Sequence, residues 1–175
     1  MADNITAFRN GMKQARDKIM RKVADRLFEA GQRLIEVAWK EKQFTGFTGN
    51  TQTSIAIGVY IDGHLTAYQT GLKNQRSPIR KKIQYHQRVY LKHPYEGSPR
   101  GVQGQVILTE EFGIDSSMRF LNYYRPKVSK GVGMVMVVGT EYAEFINGGA
   151  LGPLTSAYNA SPSIVWQTIE KGLKE

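Results

Sequence analysis

Residues 55–70 read IAIGVYIDGHLTAYQT, and this stretch decides the fold because it specifies a β-hairpin. Its first half carries β-branched residues at every second position, namely Ile55, Ile57, Val59 and Ile61. A period of two predicts a strand with one buried face. Asp62-Gly63 matches a two-residue type I′ turn, because both central positions of that turn need positive φ. HLTAYQT is therefore expected to return as a second, antiparallel strand.

A long amphipathic helix is predicted before the hairpin. Its apolar residues recur at spacings of three and four and are Ile5, Phe8, Met12, Ala15, Ile19, Val23, Leu27, Ala30, Leu34 and Ala38. They form one stripe, which needs a partner surface along its whole length, most simply the sheet. A coiled coil is the competing interpretation, although the spacing departs from strict heptads after Ile19. Asp3 or Asn4 can cap the helix, and Gly11 and Gly31 are the places where we expect any kink.

The third strand is predicted in GVGMVMVVGT, residues 131–140. It is apolar on both faces, which favours a central position in the sheet. Thr140 is then expected to cap a single helical turn, EYAEFIN, that stops at Gly148-Gly149. This turn displays Tyr142 and Phe145 on a short element.

A short C-terminal helix completes the predicted fold. Residues 151–160 read as a loop, and Ser161 and Pro162 then fit an N-cap and a first helical position. The apolar side of this helix is Ile164, Val165, Ile169 and Leu173. We therefore expect a single α+β domain over residues 1–175, with a long N-terminal amphipathic helix packed on a small antiparallel sheet.

Residues 71–104 form a basic segment that we interpret as a long insertion between core strands. The segment holds eight Lys or Arg residues and one acid, Glu96, so it carries most of the net charge of +9. A hairpin with a mobile tip is expected, followed by a short strand near residue 106 and a short helix between Ser116 and Pro126. The segment is either a solvated loop or a surface for phosphate or an acidic partner. The residues proposed to face a partner or DNA are Arg76, Arg80, Lys81, Lys82, Arg88 and Lys92.

Chemistry-bearing motifs are missing from the sequence. The chain has no cysteine, and His64, His86 and His93 stand in no metal-ligand spacing, so no metal site is predicted. Gly131-Val-Gly133 precedes a strand instead of following one, which excludes a dinucleotide loop. Glu141 and Glu144 could share a face, but a solvated face is favoured over acid–base work. We expect no catalytic residue, no cofactor, no membrane span and no secretory signal.

Two short stretches resemble signatures of the neck and tail-completion family of tailed bacteriophages, the small tail-component proteins encoded between head and tail genes. The first is TGNTQTSI at residues 48–55, which opens the first strand. The second is VGTEYAEFING at residues 138–148, with Asn147 where the family usually has an acid. The likeness covers residues 1–62 and 132–175 in outline, whereas residues 71–130 depart from the family pattern.

The resemblance implies a non-enzymatic virion protein that is assembled in the host cytoplasm. Such a protein forms a ring of identical subunits at the head–tail junction or tail terminus and contacts neighbouring connector, neck and tail proteins around the DNA passage. The residues expected at the subunit or partner interface are Tyr142, Phe145, Ile146 and Gly148. Packing of these side chains in the chain's own core is the alternative.

Two other functions stay open at this point. The first is a nucleic-acid-binding module in which residues 71–104 contact phosphate and stack bases, with tyrosines at 85, 90 and 95. The second is a small hydrolase, which we rank last. Within the ring hypothesis, a contact between residues 71–104 and an adjoining ring is favoured slightly over non-specific contact with genomic DNA.

Overall fold

A computed structural model describes residues 2–40, 50–71, 80–82, 106–108, 113–127, 130–139 and 152–174. The helices are α1 (Ala2–Lys40), α2 (Asn50–Thr53), α3 (Gly113–Tyr123) and α4 (Pro153–Lys174). The strands are β1 (Ile55–Ile61), β2 (His64–Thr70), β3 (Arg80–Lys82), β4 (Val106–Leu108) and β5 (Val132–Val138). The predicted α+β class is confirmed, with a long N-terminal helix, a small antiparallel sheet and a C-terminal helix.

The main sheet has three antiparallel strands in the order β2-β1-β5. Asp62 and Gly63 join β1 to β2 with φ values of 48° and 81°, so the predicted turn with two positive φ angles is confirmed. On its other side β1 pairs with β5 in a continuous register from Ile55↔Val138 to Ile61↔Val132. A strand far along the sequence therefore lies directly beside the first strand.

The predicted roles of β1 and β5 were wrong. β1 is the central strand and is buried on both faces from Ile55 to Tyr60, whereas β5 lies at an outer position of the three-stranded sheet and is mostly half-buried. The reason is the second face of β1, where small residues let α3 approach closely. A Cβ atom at Gly58 would lie 2.9 Å from Leu121 Cδ2 of α3. The sheet is thus covered by α3 on this face.

Helices α1 and α4 cover the opposite face of the sheet. α1 is continuous through Gly11 and Gly31, and a Cβ atom at Gly31 would overlap Ile57 Cδ1 and lie 2.8 Å from Met134 Sδ. The glycine therefore lets the helix lie close against β1 and β5. Two apolar clusters join the three elements: one contains Leu34, Ile35, Ala38, Ile55, Ile57, Val138 and Ala157, and the other contains Ala24, Leu27 and Val59.

The stripe on α1 is buried along only half of its length. Its C-terminal half, from Met20 to Ala38, supplies most of the buried helix residues of the core. Residues 4–16 are all exposed, and the large apolar side chains of this half are 57–70% accessible to solvent: Ile5, Phe8, Met12 and Ile19. The expectation that the sheet covers the whole stripe was therefore wrong. We call residues 2–19 the arm.

The C-terminal helix begins at Pro153, so the prediction of a loop up to residue 160 was wrong. Pro162 lies inside α4, where a proline has no N–H to donate to the carbonyl four residues earlier. That carbonyl belongs to Tyr158, and Ser161 Oγ donates to it at 2.8 Å. The serine that was predicted to cap the helix thus supplies the hydrogen bond that the proline cannot make.

Two further predictions concern the segment between β2 and β5. Within the predicted insertion at residues 71–104, the structure describes β3, which pairs antiparallel with β4 so that Arg80 lies opposite Leu108 and Lys82 opposite Val106. The predicted hairpin tip lies outside the described residues. The expected helix is also present as α3. Ser116 does not cap α3, since the helix already includes Gly113; its end at Tyr123, before Pro126, agrees with the prediction.

Candidate functional site

The described parts of the two signature stretches, residues 50–55 and 138–139, meet in a buried polar junction at the start of α3. Asn50 Oδ1 accepts a hydrogen bond of 2.8 Å from the Gly113 backbone N–H, and Ser117 Oγ donates to the Ser54 carbonyl. Asn50, Ser54 and Ser117 are all buried. Buried polar groups are costly unless they are paired, so these bonds fix how α2, α3 and β1 sit together.

The single turn of α2 prepares the junction. The Ser54 N–H donates to the Asn50 carbonyl at 3.0 Å, and Ser54 Oγ donates to the Thr51 carbonyl at 2.8 Å. Thr53 Oγ1 also donates to the Asn50 carbonyl, at 3.2 Å. The Ser54 hydroxyl thus supplies a donor to the Thr51 carbonyl, and the Thr53 hydroxyl adds a second donor to the Asn50 carbonyl. Asn50, Thr53 and Ser54 of the first signature therefore have structural roles.

Gly139, the first glycine of the second signature, completes the junction. A Cβ atom at this position would overlap the Gly113 carbonyl oxygen and the N and Oγ atoms of Ser117. The preceding residue, Val138, pairs with Ile55 across β1 and β5. The chain therefore leaves β5 in contact with α3, and the described parts of the two signature stretches, residues 50–55 and 138–139, are neighbours in space although they are far apart along the sequence.

The predicted interface turn and half of the predicted basic residues lie outside the described residues. This applies to Tyr142, Phe145, Ile146 and Gly148, and to Arg76, Arg88 and Lys92. Arg80, Lys81 and Lys82 are described for their backbone, which forms β3. The assignment of these residues to an interface stays a prediction.

Aromatic residues, two of them exposed and one half-buried, form a patch at the C-terminal end of α3, the layer on one side of the sheet. Phe120 and Tyr123 are 46% and 77% accessible to solvent, and Phe120 stacks on Tyr124 with ring centroids 5.4 Å apart. Together with Ser116 and Arg119 they line a shallow groove. We call Phe120, Tyr123 and Tyr124 the α3 patch.

The α3 patch is anchored to the sheet through Tyr60. The Tyr60 hydroxyl donates to the Leu121 carbonyl at 2.6 Å, and its ring meets Tyr124 edge-on at 5.7 Å. Burial raises the pKa of Tyr60, and the neighbouring Tyr124 raises it further. The phenol is therefore held in its neutral, donating form, and the patch rests on a fixed support.

A second patch lies on α4, in the layer on the other side of the sheet. Tyr158 and Trp166 are 77% and 69% accessible, and with the exposed Pro162 they follow a spacing of four residues, which places them along one helix face. We call these three residues the α4 patch. The arm and the two patches are three separate exposed apolar surfaces.

The arm contacts the rest of the described structure at the hairpin turn. Arg16 Nη2 donates to both carboxylate oxygens of Asp62 at 2.8 Å, and the Gly131 N–H donates to Asp62 Oδ1 at 2.9 Å. The hydrogen bond from Gly131 lowers the pKa of Asp62, and the bond from Arg16 lowers it further. One carboxylate therefore joins α1, the β1–β2 turn and the start of β5.

Sequence reasoning missed the arm as an exposed surface and missed both patches. The arm had a visible signal, the change of spacing at Ile19. The patches had a weaker signal, since Tyr158 and Trp166 are aromatic residues outside the apolar side that was assigned to the C-terminal helix.

No group of three or more His, Asp or Glu side chains placed to bind a metal ion occurs among the described residues. No helix in the described parts of the chain is long and apolar enough to cross a membrane. Comparison of the chain with protein-family models, with curated proteins and with solved structures finds no match.

Proposed function

We propose that this protein is a non-enzymatic structural component of a tailed-phage virion. It assembles with copies of itself into a ring at the head–tail junction or tail terminus, joins neighbouring connector, neck and tail proteins, and surrounds the DNA passage. Its place is the virion, after assembly in the host cytoplasm. The resemblance at residues 48–55 and 138–148 supports the family. The exposed aromatic patches on opposite layers of the body support the ring.

Opposite layers matter because a ring needs two different contact surfaces on every subunit. A ring larger than a dimer uses a heterologous interface, in which one surface of a subunit binds another surface of the next. Tyr and Trp are the residues most often found at the energetic centre of such interfaces. The α3 patch and the α4 patch lie on opposite sides of the sheet and supply such a pair. We assign the subunit contact to these two patches, and the turn that contains Tyr142 and Phe145 remains proposed for a subunit or partner contact.

Mass photometry of the purified chain tests this assignment. We expect Tyr123→Ser and Trp166→Ser each to abolish the oligomer, because each removes one half of every subunit contact. A mixture of the two variants retains one intact pair of patches and is expected to stop at a dimer. Tyr68→Ser is the matched control, since Tyr68 is an exposed aromatic residue on β2, outside both patches. A monomer that also stays out of particles would contradict the ring.

The basic segment at residues 71–104 is assigned to the adjoining ring. Replacement of Arg80, Lys81 and Lys82 by Ser is expected to give tailless, DNA-filled heads in electron micrographs, because a charge-dependent contact is lost. Normal tailed particles that eject DNA would contradict a joining role. Binding of the purified chain to oligonucleotides that is lost in the triple variant would favour the alternative, a nucleic-acid-binding module.

A further inference from the structure

The apolar stripe on α1 changes its period where the arm ends. Four steps from Ile5 to Ile19 cover 14 residues with the alternating spacing three, four, three, four. Five steps from Ile19 to Ala38 cover 19 residues with the spacing four, four, three, four, four. The first pattern is a strict heptad repeat, and the second is not. The strictly heptad part is the part that the protein leaves exposed, and the other part packs on the sheet.

The apolar a and d positions of a strict heptad repeat form a line, which we call the seam, that favours packing against another helix. Residues at the a and d positions form a narrow line that inserts between the residues of a facing helix in a coiled coil. In the arm, Ile5, Met12 and Ile19 occupy a positions, and Phe8 and Ala15 occupy d positions. A helix that lies on a membrane needs a broader apolar face. The pattern therefore favours a helical partner over a lipid surface.

The chain's own sheet does not reach this seam. Arg16 is bound to Asp62 at the hairpin turn, which is the end of β1 nearest the arm. At 1.5 Å per residue, the helix before Arg16 extends about 20 Å past that point. Residues 4–16 are exposed throughout. A partner helix can thus lie along the arm without displacing any described part of the body.

The residues on either side of the seam, at heptad positions e and g, indicate which charge a partner helix would carry. Counting from Ile5 as an a position, the e positions are Arg9 and Arg16, and the g positions are Asn4, Gly11 and Lys18. No acidic residue stands at a flank, and residues 4–18 hold four Lys or Arg and one Asp. Charges at e and g set partner choice in coiled coils. A second arm would bring like charges together, whereas a helix with Glu at the facing positions would pair with Arg9 and Lys18, since Arg16 is bound to Asp62.

We propose that the arm binds an amphipathic helix of another protein, with apolar residues at heptad a and d positions and acidic residues at e and g. The complex is a short two-stranded coiled coil. This partner is distinct from the neighbouring copy in the proposed ring, and the inference does not require the ring to form. It identifies the chemistry of a third contact, made by the surface that the patches leave unused.

Two synthetic three-heptad peptides test the proposal on the full chain. Both carry Leu at a and d; one carries Glu and the other Lys at e and g. Fluorescence anisotropy is expected to show at least about tenfold tighter binding of the Glu peptide, with the difference reduced at about 0.5 M NaCl. Equal affinities, or no binding of either peptide, would overturn the proposal.

Variants of the arm separate this contact from the others. Phe8→Gln with Met12→Gln is expected to abolish binding of the Glu peptide, while Tyr68→Ser, an exposed aromatic position outside the arm and both patches, leaves it unchanged. Arg9→Glu with Lys18→Glu is expected to reverse the preference toward the Lys peptide. Circular dichroism checks that each variant is folded.

The competing occupants of the arm have their own readouts. If the Phe8/Met12 variant loses self-association in the absence of peptide, the occupant is a second copy and the proposal fails. Tighter binding to vesicles of anionic lipid than to the Glu peptide would also overturn it. Failure of the ring is detected separately, through the Tyr123 and Trp166 variants.

Discussion

The buried junction and the arm both reverse the usual distribution of side chains. In the junction, Asn50, Ser54 and Ser117 are polar and buried; in the arm, Phe8 and Met12 are apolar and exposed. The buried polar groups are acceptable because they satisfy one another and neighbouring backbone groups. The exposed apolar groups have no such compensation within the described chain. The junction therefore helps to specify the fold, while the arm is available for a partner.

The strongest test of this comparison is Gly139→Ala in the junction. Its Cβ would overlap backbone atoms of Gly113 and Ser117, which cannot rotate away as a side chain can. We expect a loss of about 3 kcal/mol in the free energy of unfolding, at the upper end for overpacking. Urea denaturation measures it. Gly133→Ala, on the strand that precedes Gly139, is the matched control, because its Cβ would meet nothing within 4 Å.

The next effect in size comes from single hydrogen bonds in the junction. Asn50→Ala leaves the Gly113 N–H without its acceptor, and Ser117→Ala leaves the Ser54 carbonyl without its side-chain donor. Each is expected to lower the free energy of unfolding by about 1–3 kcal/mol, the cost of an unsatisfied buried group. Ser163→Ala, at an exposed serine of α4, should change it by less than about 0.5 kcal/mol. Equal effects at all three sites would contradict the structural role of the junction.

Asp62→Asn tests the tie between the arm and the body, and we expect a smaller effect. Asn also accepts positive φ, so the turn is retained while the ion pair with Arg16 is lost. Because the pKa of Asp62 is lowered in the folded state, its stabilisation is present above the ordinary carboxyl pKa, near 3.8. It is lost as the pH falls through the lower, folded-state pKa.

Urea denaturation at a series of pH values between neutral and strongly acidic checks this sign. The wild-type protein should exceed the Asp62→Asn variant in stability by a constant amount at neutral pH, and the difference should vanish in strong acid. A difference that grows on acidification would contradict the assignment.

The smallest effect on stability is expected in the arm itself. Phe8→Gln with Met12→Gln replaces two exposed apolar side chains by good helix formers, so the free energy of unfolding should change by less than about 0.5 kcal/mol. Thermal unfolding followed by circular dichroism measures this. A large loss would mean that the arm packs on its own chain, and the contrast with the junction would disappear.

Local sequence signals predicted which residues form strands and turns better than they predicted which elements pack against one another. The alternation from Ile55 to Ile61 and the Asp62-Gly63 turn predicted the hairpin correctly, since both signals lie within a few residues. The second buried face of β1 was missed because Gly58 has no side chain that marks burial. The central position assigned to β5 was wrong because apolar strand residues can also be half-buried at the outer position of a small sheet.

The Ser161-Pro162 pair led to the wrong prediction for the start of α4. A Ser-Pro pair is the usual sign of a helix start, and no periodicity rule shows that Ser161 can bond Tyr158 and let the helix run through Pro162. The junction was equally invisible, since its contact between Asn50 and Gly113 joins residues that are far apart in the chain. The interface assigned to Tyr142 and Phe145 stays a prediction.

The order of the strands also bears on the entropy of the chain. β1 meets β2 across a two-residue turn but meets β5 only after a long excursion, with Ile61 and Val132 as its nearest paired residues. The free energy of closing such a loop grows with the logarithm of its length, so each doubling adds only about 0.6 kcal/mol. A change in the length of residues 71–104 therefore costs the sheet little loop-closure free energy, provided that β2 and α3, which lie in the same excursion, keep their contacts with β1.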